Sequence, residues 1–148
     1  MNPAFVIPDV VVADSLAETE ALGRRLGASL AAGTVVALIG PLGAGKTHFS
    51  RAIAEGLEIR NPLAVTSPTF VLIQEYAGRL PIFHFDAYRL NNSREFLDLG
   101  AQEYFEAGGV CLIEWADRVL DALPPAYLRV DIEPLDENRR RFRASWIG

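Results

Sequence analysis

The segment that decides the fold runs from residue 34 to residue 47 and reads TVVALIGPLGAGKT. Its first six residues form an apolar run with several β-branched side chains, which is typical of a strand covered on both faces. The eight residues after that run hold three glycines and end in a Lys-Thr pair, and the periodicity beyond them predicts a helix from Lys46 to about Leu57. The segment therefore predicts a strand, a glycine-rich turn and a helix in direct succession.

The turn matches the phosphate-binding pattern G-x-x-x-x-G-K-[ST] in full. Backbone N–H groups can wrap a polyphosphate only where side chains do not block its approach, which explains the glycines. The following helix directs its partial positive end at the anion, Lys46 supplies a charge to the β- and γ-phosphates, and the Thr47 hydroxyl supplies an oxygen to Mg²⁺. The predicted nucleotide contacts in this stretch are Gly40, Pro41, Leu42, Gly43, Ala44, Gly45, Lys46, Thr47 and His48. The alternative, a glycine-rich turn that binds nothing, is disfavoured by its place between a buried strand and a helix.

Two acidic residues follow apolar runs elsewhere in the chain. Asp86 ends the run 82–85 and Glu114 ends the run 110–113. A phosphate-loop enzyme needs an acid at a strand end to hold Mg²⁺, directly or through water, and a group that orients the attacking water. Each acid alone is also compatible with a solvated strand terminus, but the pair beside a complete phosphate loop favours the functional interpretation.

Several other polar or aromatic residues admit two interpretations. Ser67 and Thr69 lie in a loop that is either a switch sensing the γ-phosphate or a plain turn. His48 and His84 are more often structural than catalytic in such positions. Trp115 is either a core anchor or a neighbour of the site. The arginine cluster 139–143 is either the solvated face of an edge strand or a contact with nucleotide or RNA phosphate.

The rest of the chain predicts an α/β architecture. Ser15 and Glu18 form a capping-box pattern that opens a helix to about Leu30. A strand hairpin is expected over residues 71–86, a helix of about two turns capped by Ser93 after it, and further helix over residues 102–106. Alternating residues around Leu128 and Phe142 predict an antiparallel pair at the sheet edge. The expected fold is a P-loop NTPase fold: a parallel sheet core, flanking antiparallel strands and helices on both faces.

Length and composition fit one globular domain over residues 1–148. The single cysteine excludes an intramolecular disulfide, and neither a signal peptide nor a membrane-spanning run is apparent. We therefore expect a cytoplasmic protein without membrane partners. The net charge of −5 disfavours a protein that grips RNA alone, so any nucleic acid is expected to be held mainly by a partner.

The motifs in order resemble those of the TsaE (YjeE) family, the ATPase subunit for threonylcarbamoyladenosine modification of tRNA. The stretches that carry the resemblance are the phosphate loop, SPTF at 67–70, HFDAYRL at 84–90, LG at 99–100, EYF at 103–105 and IEW at 113–115. The phosphate loop is shared by very many families, whereas HFDAYRL and IEW at this spacing are far more specific. The resemblance covers essentially the whole chain.

The resemblance implies an ATP and Mg²⁺ site and a role beside the TsaB–TsaD pair, which transfers threonylcarbamoyl to tRNA. Lys46 would hold phosphate, Thr47 and Glu114 would hold Mg²⁺, and Asp86 would position or activate the attacking water. Ser67 and Thr69 would belong to a switch loop and Trp115 would lie near the nucleotide. Further nucleotide contacts are expected from Arg139 or Arg140 and from the start of the first helix near Leu16. ATP hydrolysis would reset the complex, and tRNA would be reached through the complex.

The chain departs from the family pattern at two positions. Pro41 stands where many members carry an acidic residue, and His48 stands where a small hydroxyl residue is usual. Pro41 removes one backbone N–H, although that position need not donate to phosphate. We therefore expect nucleotide binding to survive, with an altered affinity or hydrolysis rate.

Three rival functions share the phosphate loop. A small-molecule or nucleoside kinase needs an acceptor pocket and usually an arginine-rich lid, and no convincing lid lies between Asp86 and Glu114. A GTPase needs an N-K-x-D stretch that reads guanine, and the sequence contains none. A non-catalytic module, in which ATP only licenses assembly, needs the same cradle as a slow ATPase and is not separated from it by sequence.

Overall fold

The computed structural model describes residues 9–65 and 72–148, and its centre is a mixed sheet. The strands are β1 (Val10–Ala13), β2 (Val35–Ile39), β3 (Ile73–Tyr76), β4 (Ile82–Asp86), β5 (Val110–Glu114), β6 (Tyr127–Pro134) and β7 (Arg140–Ile147). Their order across the sheet is β1-β7-β6-β2-β5-β4-β3. The neighbours β6, β2, β5 and β4 run parallel, whereas β7, β1 and β3 are antiparallel to their partners. The predicted parallel core with flanking antiparallel strands is confirmed.

Helices cover both faces of this sheet. They are α1 (Leu16–Ser29), α2 (Lys46–Gly56), α3 (Ser93–Asp98) and α4 (Ala101–Phe105). Side chains of α1 and α2 join one apolar cluster against the sheet, and those of α3 and α4 join a second cluster on the opposite face. Short 3₁₀ turns occupy Pro62–Ala64, Ala116–Arg118 and Leu120–Ala122. No helix within residues 9–65 and 72–148 is long and apolar enough to cross a membrane.

The capping residues that begin α1 and α3 follow the same chemistry. Ser15 Oγ accepts a hydrogen bond from the Glu18 amide at 3.1 Å, which confirms the predicted start of α1. The predicted cap of α3 was wrong by one residue. Asn92 is in an extended conformation and its side chain accepts from the Glu95 amide at 3.0 Å, while the Ser93 hydroxyl instead donates to Asp121.

The predicted pair β6 and β7 is antiparallel, but its expected place at the sheet edge was wrong. β6 lies beside β2 in the parallel core, and β1 pairs with the outer side of β7. The edge strand β1 has only four residues and had not been predicted. Its partners in β7 are residues 140–143, so the arginine cluster lies within the sheet next to the edge strand.

Alternation along β4 and β5 determines which side chains meet α2. Ile82, Val110 and Leu112 belong to the cluster under α1 and α2, whereas Phe83, Phe85, Cys111 and Ile113 belong to the other cluster. Since successive side chains of a strand point to opposite faces, His84, Asp86 and Glu114 lie on the α2 face. The parallel register pairs Asp86 with Glu114 at the carboxyl ends of the two strands.

Candidate nucleotide-binding site

The loop between β2 and α2 is shaped by its glycines. A Cβ atom on Gly40 would lie 2.6 Å from the carbonyl oxygen of Ile132, so only glycine fits against β6 there. Gly43 and Gly45 adopt φ angles of 79° and 93°, in the left-handed region that favours glycine. These backbone requirements add to the need for an open approach to phosphate. The loop therefore ends at the N-terminus of α2, where Gly45 provides no side-chain cap to the first amide groups of the helix.

A cavity of about 240 Å³ opens at this helix terminus. It is lined by Leu42, Gly43, Gly45, Lys46, Thr47, His48, Glu114 and Trp115. The structure thus brings most of the predicted phosphate loop together with one of the two predicted acids and the predicted tryptophan. A helix N-terminus with free amides and a nearby cation is a favourable environment for an anion.

Lys46 is buried at the centre of the site. Its ammonium donates to the carbonyl oxygens of Gly40 at 2.6 Å and Pro41 at 2.9 Å, and lies 3.8 Å from the centre of the Trp115 ring. Trp115 itself has a φ of 58°, rare for a bulky residue, and this turn after β5 directs its ring over the lysine. Burial lowers the pKa of Lys46, and the nearby carboxylates of Glu114, Asp117 and Asp86 oppose that shift. The site therefore holds a cation that lacks full solvation and is available to an anionic ligand.

Glu114 connects the end of β5 to helix α2. The Thr47 hydroxyl donates to Glu114 Oε1 at 2.8 Å, and the Ser50 hydroxyl donates to Oε2 at 3.4 Å. His84 Nε2 contacts the same Oε2. The carboxylate is therefore fixed between one strand and one helix, with each oxygen facing different partners.

Asp86 is the second acid at this edge of the sheet, and only 9% of its surface is exposed. Its Oδ1 accepts a hydrogen bond from the Tyr88 amide at 2.9 Å. Burial raises the pKa of Asp86 and the charge of Glu114 adds to the rise, while the Tyr88 amide, His84 and Lys46 lower it. Asp86 does not line the 240 Å³ cavity, although it is close enough to interact electrostatically with Lys46 and Glu114.

The oxygen atoms at this edge fit a hard divalent cation. Mg²⁺ binds through one or two protein oxygens and keeps several waters or phosphate oxygens as its other ligands. The paired Thr47 hydroxyl and Glu114 carboxylate provide such a set. In the described ranges no group of three or more His, Cys, Asp or Glu side chains could hold a metal ion by itself. The arrangement therefore suits a cation that arrives with a phosphate ligand.

The two candidate arginines differ in their position. Arg140 Nε donates to the carbonyl oxygen of Ala44 in the loop at 2.9 Å, which links β7 to the phosphate loop. Its NH1 group donates to the carbonyl oxygens of Asp136 and Arg139, at 2.7 and 3.0 Å. Arg139 is exposed and pairs with the Asp136 carboxylate at 2.8 Å. Of the two, Arg140 is the residue that the structure places at the loop.

The remaining predicted residues lie around the site or outside the described ranges. His48 lines the cavity, and its Nε2 lies 3.3 Å from Glu20 Oε1 without hydrogen-bond geometry. Leu16 is an exposed residue at the start of α1 and does not line the cavity. Ser67 and Thr69 lie outside the described residues, so the predicted switch loop stays a prediction.

Sequence reasoning missed Ser50 and undervalued His84, which both contact Glu114. The signal that could have found them is strand and helix periodicity. His84 shares the strand parity of Asp86, and Ser50 lies one turn beyond Thr47 on the same helix face. A polar residue at a core-facing position of each element indicated a partner on that face.

A family model described as "Threonylcarbamoyl adenosine biosynthesis protein TsaE" matches residues 13–142. The chain belongs to the TsaE family. It is 42% identical over 132 residues to the tRNA threonylcarbamoyladenosine biosynthesis protein TsaE of Bacillus subtilis (88% of this chain, 81% of the relative). It is 42% identical over 131 residues to the protein of that name in Treponema pallidum (88% of this chain, 96% of the relative).

The fold is shared with a solved structure of similar length. The crystal structure of YdiB from Bacillus subtilis superposes with a TM-score of 0.75 at 35% identity, covering 94% of this chain and 85% of that one. The predicted resemblance to the TsaE family and the predicted fold class are therefore both confirmed. By its description, the family works in threonylcarbamoyladenosine biosynthesis.

Proposed function

We propose that this TsaE-family chain binds and hydrolyses Mg-ATP as a subunit of the cytoplasmic machinery that makes threonylcarbamoyladenosine in tRNA. The observation that carries the proposal is the 2.8 Å hydrogen bond from Thr47 to Glu114. It joins the last residue of the phosphate loop to the acid at the end of β5, beside a cavity that also contains the Lys46 ammonium. A hydroxyl, a carboxylate and a partly desolvated ammonium in this arrangement are what phosphoryl transfer requires.

Binding would begin with the polyphosphate at the N-terminus of α2. The glycines leave the loop amides open, and the helix terminus favours negative charge there. Lys46 would turn from the carbonyl oxygens of Gly40 and Pro41 toward the phosphates. Because burial disfavours the bare ammonium, an anionic ligand would restore the solvation that it lacks.

Thr47 and Glu114 would hold Mg²⁺ through their side-chain oxygens, with the nucleotide phosphates and water as the other ligands. When bound, the cation neutralises charge on the transferring phosphoryl group. The position of Glu114 opposite the loop supports a role in metal binding rather than in proton transfer.

Asp86 would orient the attacking water and accept its proton. Its pKa is raised by burial, so its carboxylate is a stronger base than a solvated aspartate. A base at the neighbouring strand end is suited to act on a water that approaches the γ-phosphate from the open side of the site. Hydrolysis is therefore favoured over simple nucleotide binding.

The proposed partners are the TsaB–TsaD pair, with tRNA reached through that complex. Support comes from membership of the TsaE family and from the net charge of −5, which disfavours binding tRNA alone. ATP turnover would reset the complex between rounds of transfer. The exposed Leu42 and Tyr88 near the site leave apolar surface that a partner could cover on ATP binding.

The test measures ATP hydrolysis by the purified chain, alone and with TsaB–TsaD from the same source. We expect weak activity alone and a higher rate with the partners. Lys46→Ala should abolish activity in both cases, and Asp86→Ala should lower kcat by about 100-fold or more while ADP binding stays within about twofold. A hydrolysis rate that does not change when TsaB–TsaD is added would contradict the role in the complex. Normal hydrolysis by Asp86→Ala would contradict the assignment of Asp86 as the base.

A second readout addresses binding without turnover. Lys46 is the only lysine of the 148 residues, so modification by an amine-directed reagent, measured on the peptide that contains Lys46 and not at the N-terminal amine, reports on this position. ATP with Mg²⁺ should protect Lys46 from modification, and GTP should protect it less. Equal protection by both nucleotides would contradict the proposal that ATP is the nucleotide of this site. ADP and inorganic phosphate as the only products, with panels of small-molecule acceptors present, would exclude the kinase alternative.

A further inference from the structure

A chain of side-chain contacts leads from the Glu114 carboxylate to the outer strand of the sheet. His84 Nε2 contacts Glu114 Oε2, and His84 Nδ1 lies 3.3 Å from the Tyr76 hydroxyl. That hydroxyl also contacts Gln74 Oε1. The chain therefore crosses from β5 through β4 to β3, along one face of the sheet.

His84 is at the centre of this chain, and none of its surface is exposed. Burying an imidazole costs free energy unless both ring nitrogens have partners, and here each nitrogen has one. The neighbouring core positions on the same face are aliphatic, Ile82 in β4 and Leu112 in β5. An apolar side chain at position 84 would therefore satisfy packing, so the imidazole is explained by its contacts with Glu114 and Tyr76.

The contacts distinguish the two oxygens of Glu114. Oε2 is occupied by His84 and by the Ser50 hydroxyl, whereas Oε1 receives the Thr47 hydroxyl. A carboxylate without such contacts could rotate about its last bond and present either oxygen to the loop. His84 is itself a poor Mg²⁺ ligand, because its Nε2 is already bound to Glu114 and Mg²⁺ prefers oxygen.

We infer that His84 is a positioning residue that locks the Glu114 carboxylate, so that Oε1 alone faces Thr47 and the divalent cation, and that Tyr76 holds the His84 ring in place. This inference rests on the proposed Mg-nucleotide function. Side chains that orient a metal-binding group in this way change metal affinity when they are removed, even though they do not touch the metal.

The experiment measures Mn²⁺ binding to the full chain with saturating ADP, by electron paramagnetic resonance, and ADP binding in EDTA, by calorimetry. His84→Phe keeps an aromatic ring but removes the donor to Glu114. We expect its Mn²⁺ affinity to fall by about 10- to 100-fold. ADP affinity in EDTA should stay within about twofold of the wild type, since the phosphate loop is untouched.

Two further variants separate positioning from packing. His84→Gln places an amide nitrogen where Nε2 lies, and should restore Mn²⁺ affinity to within about threefold of the wild type. Tyr76→Phe removes the hydroxyl contact to the ring and should weaken Mn²⁺ binding by about 5- to 10-fold. If His84→Phe does not fold, these two variants test the inference on their own. A positioning role predicts that Tyr76→Phe loses Mn²⁺ affinity and that His84→Gln retains it.

Wild-type Mn²⁺ affinity in His84→Phe or in Tyr76→Phe would overturn the inference while leaving the proposed function intact. So would a loss of ADP affinity in EDTA equal to the loss of Mn²⁺ affinity, since that indicates general damage to the site. If the wild type itself shows no Mn²⁺ binding in the presence of ADP, the proposed metal site fails, and the role of His84 fails with it.

Discussion

The two faces of strands β4 and β5 differ sharply although they are built from alternating residues of the same two strands. On the face covered by α3 and α4, Phe83, Phe85 and Ile113 pack in an apolar cluster. On the face covered by α2, His84 and Glu114 are buried polar groups that contact each other and the helix. Alternation along the strand therefore places packing and chemistry on opposite sides of one sheet.

The energetics of the two faces differ in sign. Phe85 packs edge-to-face against Phe96 and Tyr104, with ring centroids 5.5 Å apart in each pair, and contributes stability through burial. On the other side, burial raises the pKa of Asp86 in β4 and lowers the pKa of Lys46 in α2, so that burial favours the neutral form of each group. The apolar face thus stabilises the sheet on which the polar face depends.

Phe85→Ala tests the apolar face and should have the largest effect on stability. Removing a fully buried aromatic ring leaves a cavity, and we expect the free energy of unfolding to fall by about 3–5 kcal/mol. Urea denaturation measures this loss. At a temperature where the variant is folded, its ADP affinity should remain within about twofold of the wild type, because the ring faces away from the loop.

The control for this variant is Leu97→Ala, which removes an exposed leucine from α3. Its free energy of unfolding should change by no more than about 0.5 kcal/mol. The separation of the two faces would be wrong if the ADP binding free energy of folded Phe85→Ala fell by as much as its free energy of unfolding.

Arg140→Ala tests the opposite case, a change at the loop with little effect on the core. The guanidinium donates to the Ala44 carbonyl and joins β7 to the phosphate loop. We expect ADP affinity, measured by calorimetry, to fall by about 5- to 10-fold, which is about 1–1.4 kcal/mol. The free energy of unfolding, measured in urea, should change by less than this loss of binding free energy, because the Arg140 side chain is only half-buried.

Arg139→Ala is the matched control, since that neighbouring guanidinium is exposed and pairs with Asp136 instead of the loop. Its ADP affinity should stay within about twofold. Equal losses in both variants would show that the contact with Ala44 is not what holds the loop.

Most of the site was predictable because its parts are encoded locally. The glycine pattern at 40–47 requires left-handed backbone and an open helix terminus, and both are present. Asp86 and Glu114 each end an apolar run, and parallel strands in neighbouring positions bring such ends together. A local sequence pattern is sufficient to predict a site when the fold places the ends of successive strands at one edge of the sheet.

The contacts that sequence did not predict join residues far apart in the chain. Arg140 and Ala44 are separated by 96 positions, and Ser50 and Glu114 by 64. These contacts depend on which strands pair, and nothing local specified that β6 lies next to β2 or that β1 covers β7. The misplaced cap of α3 has a smaller cause: Asn92 and Ser93 are both suitable caps, and only the backbone conformation chooses between them.

Asp86→Asn tests the cost of charge on the polar face, with the smallest expected effect. The pKa of Asp86 is raised in the folded protein, so the folded state holds this proton more tightly than the unfolded state does. The stability gained from protonation is complete below the unfolded pKa of 3.8 and is lost as pH rises through the folded pKa.

At pH 7.5 the wild type therefore bears the cost of a buried charge that Asn does not carry. The thermal midpoint of Asp86→Asn should exceed that of the wild type by a few degrees at pH 7.5, and the difference should shrink as pH falls toward 4. Asp117→Asn, which changes an exposed acid at the same edge, is the matched control and should leave the thermal midpoint at pH 7.5 nearly unchanged. A difference for Asp86→Asn that is independent of pH would mean that the substitution acts through packing, and the polar face would then carry no cost of charge at this position.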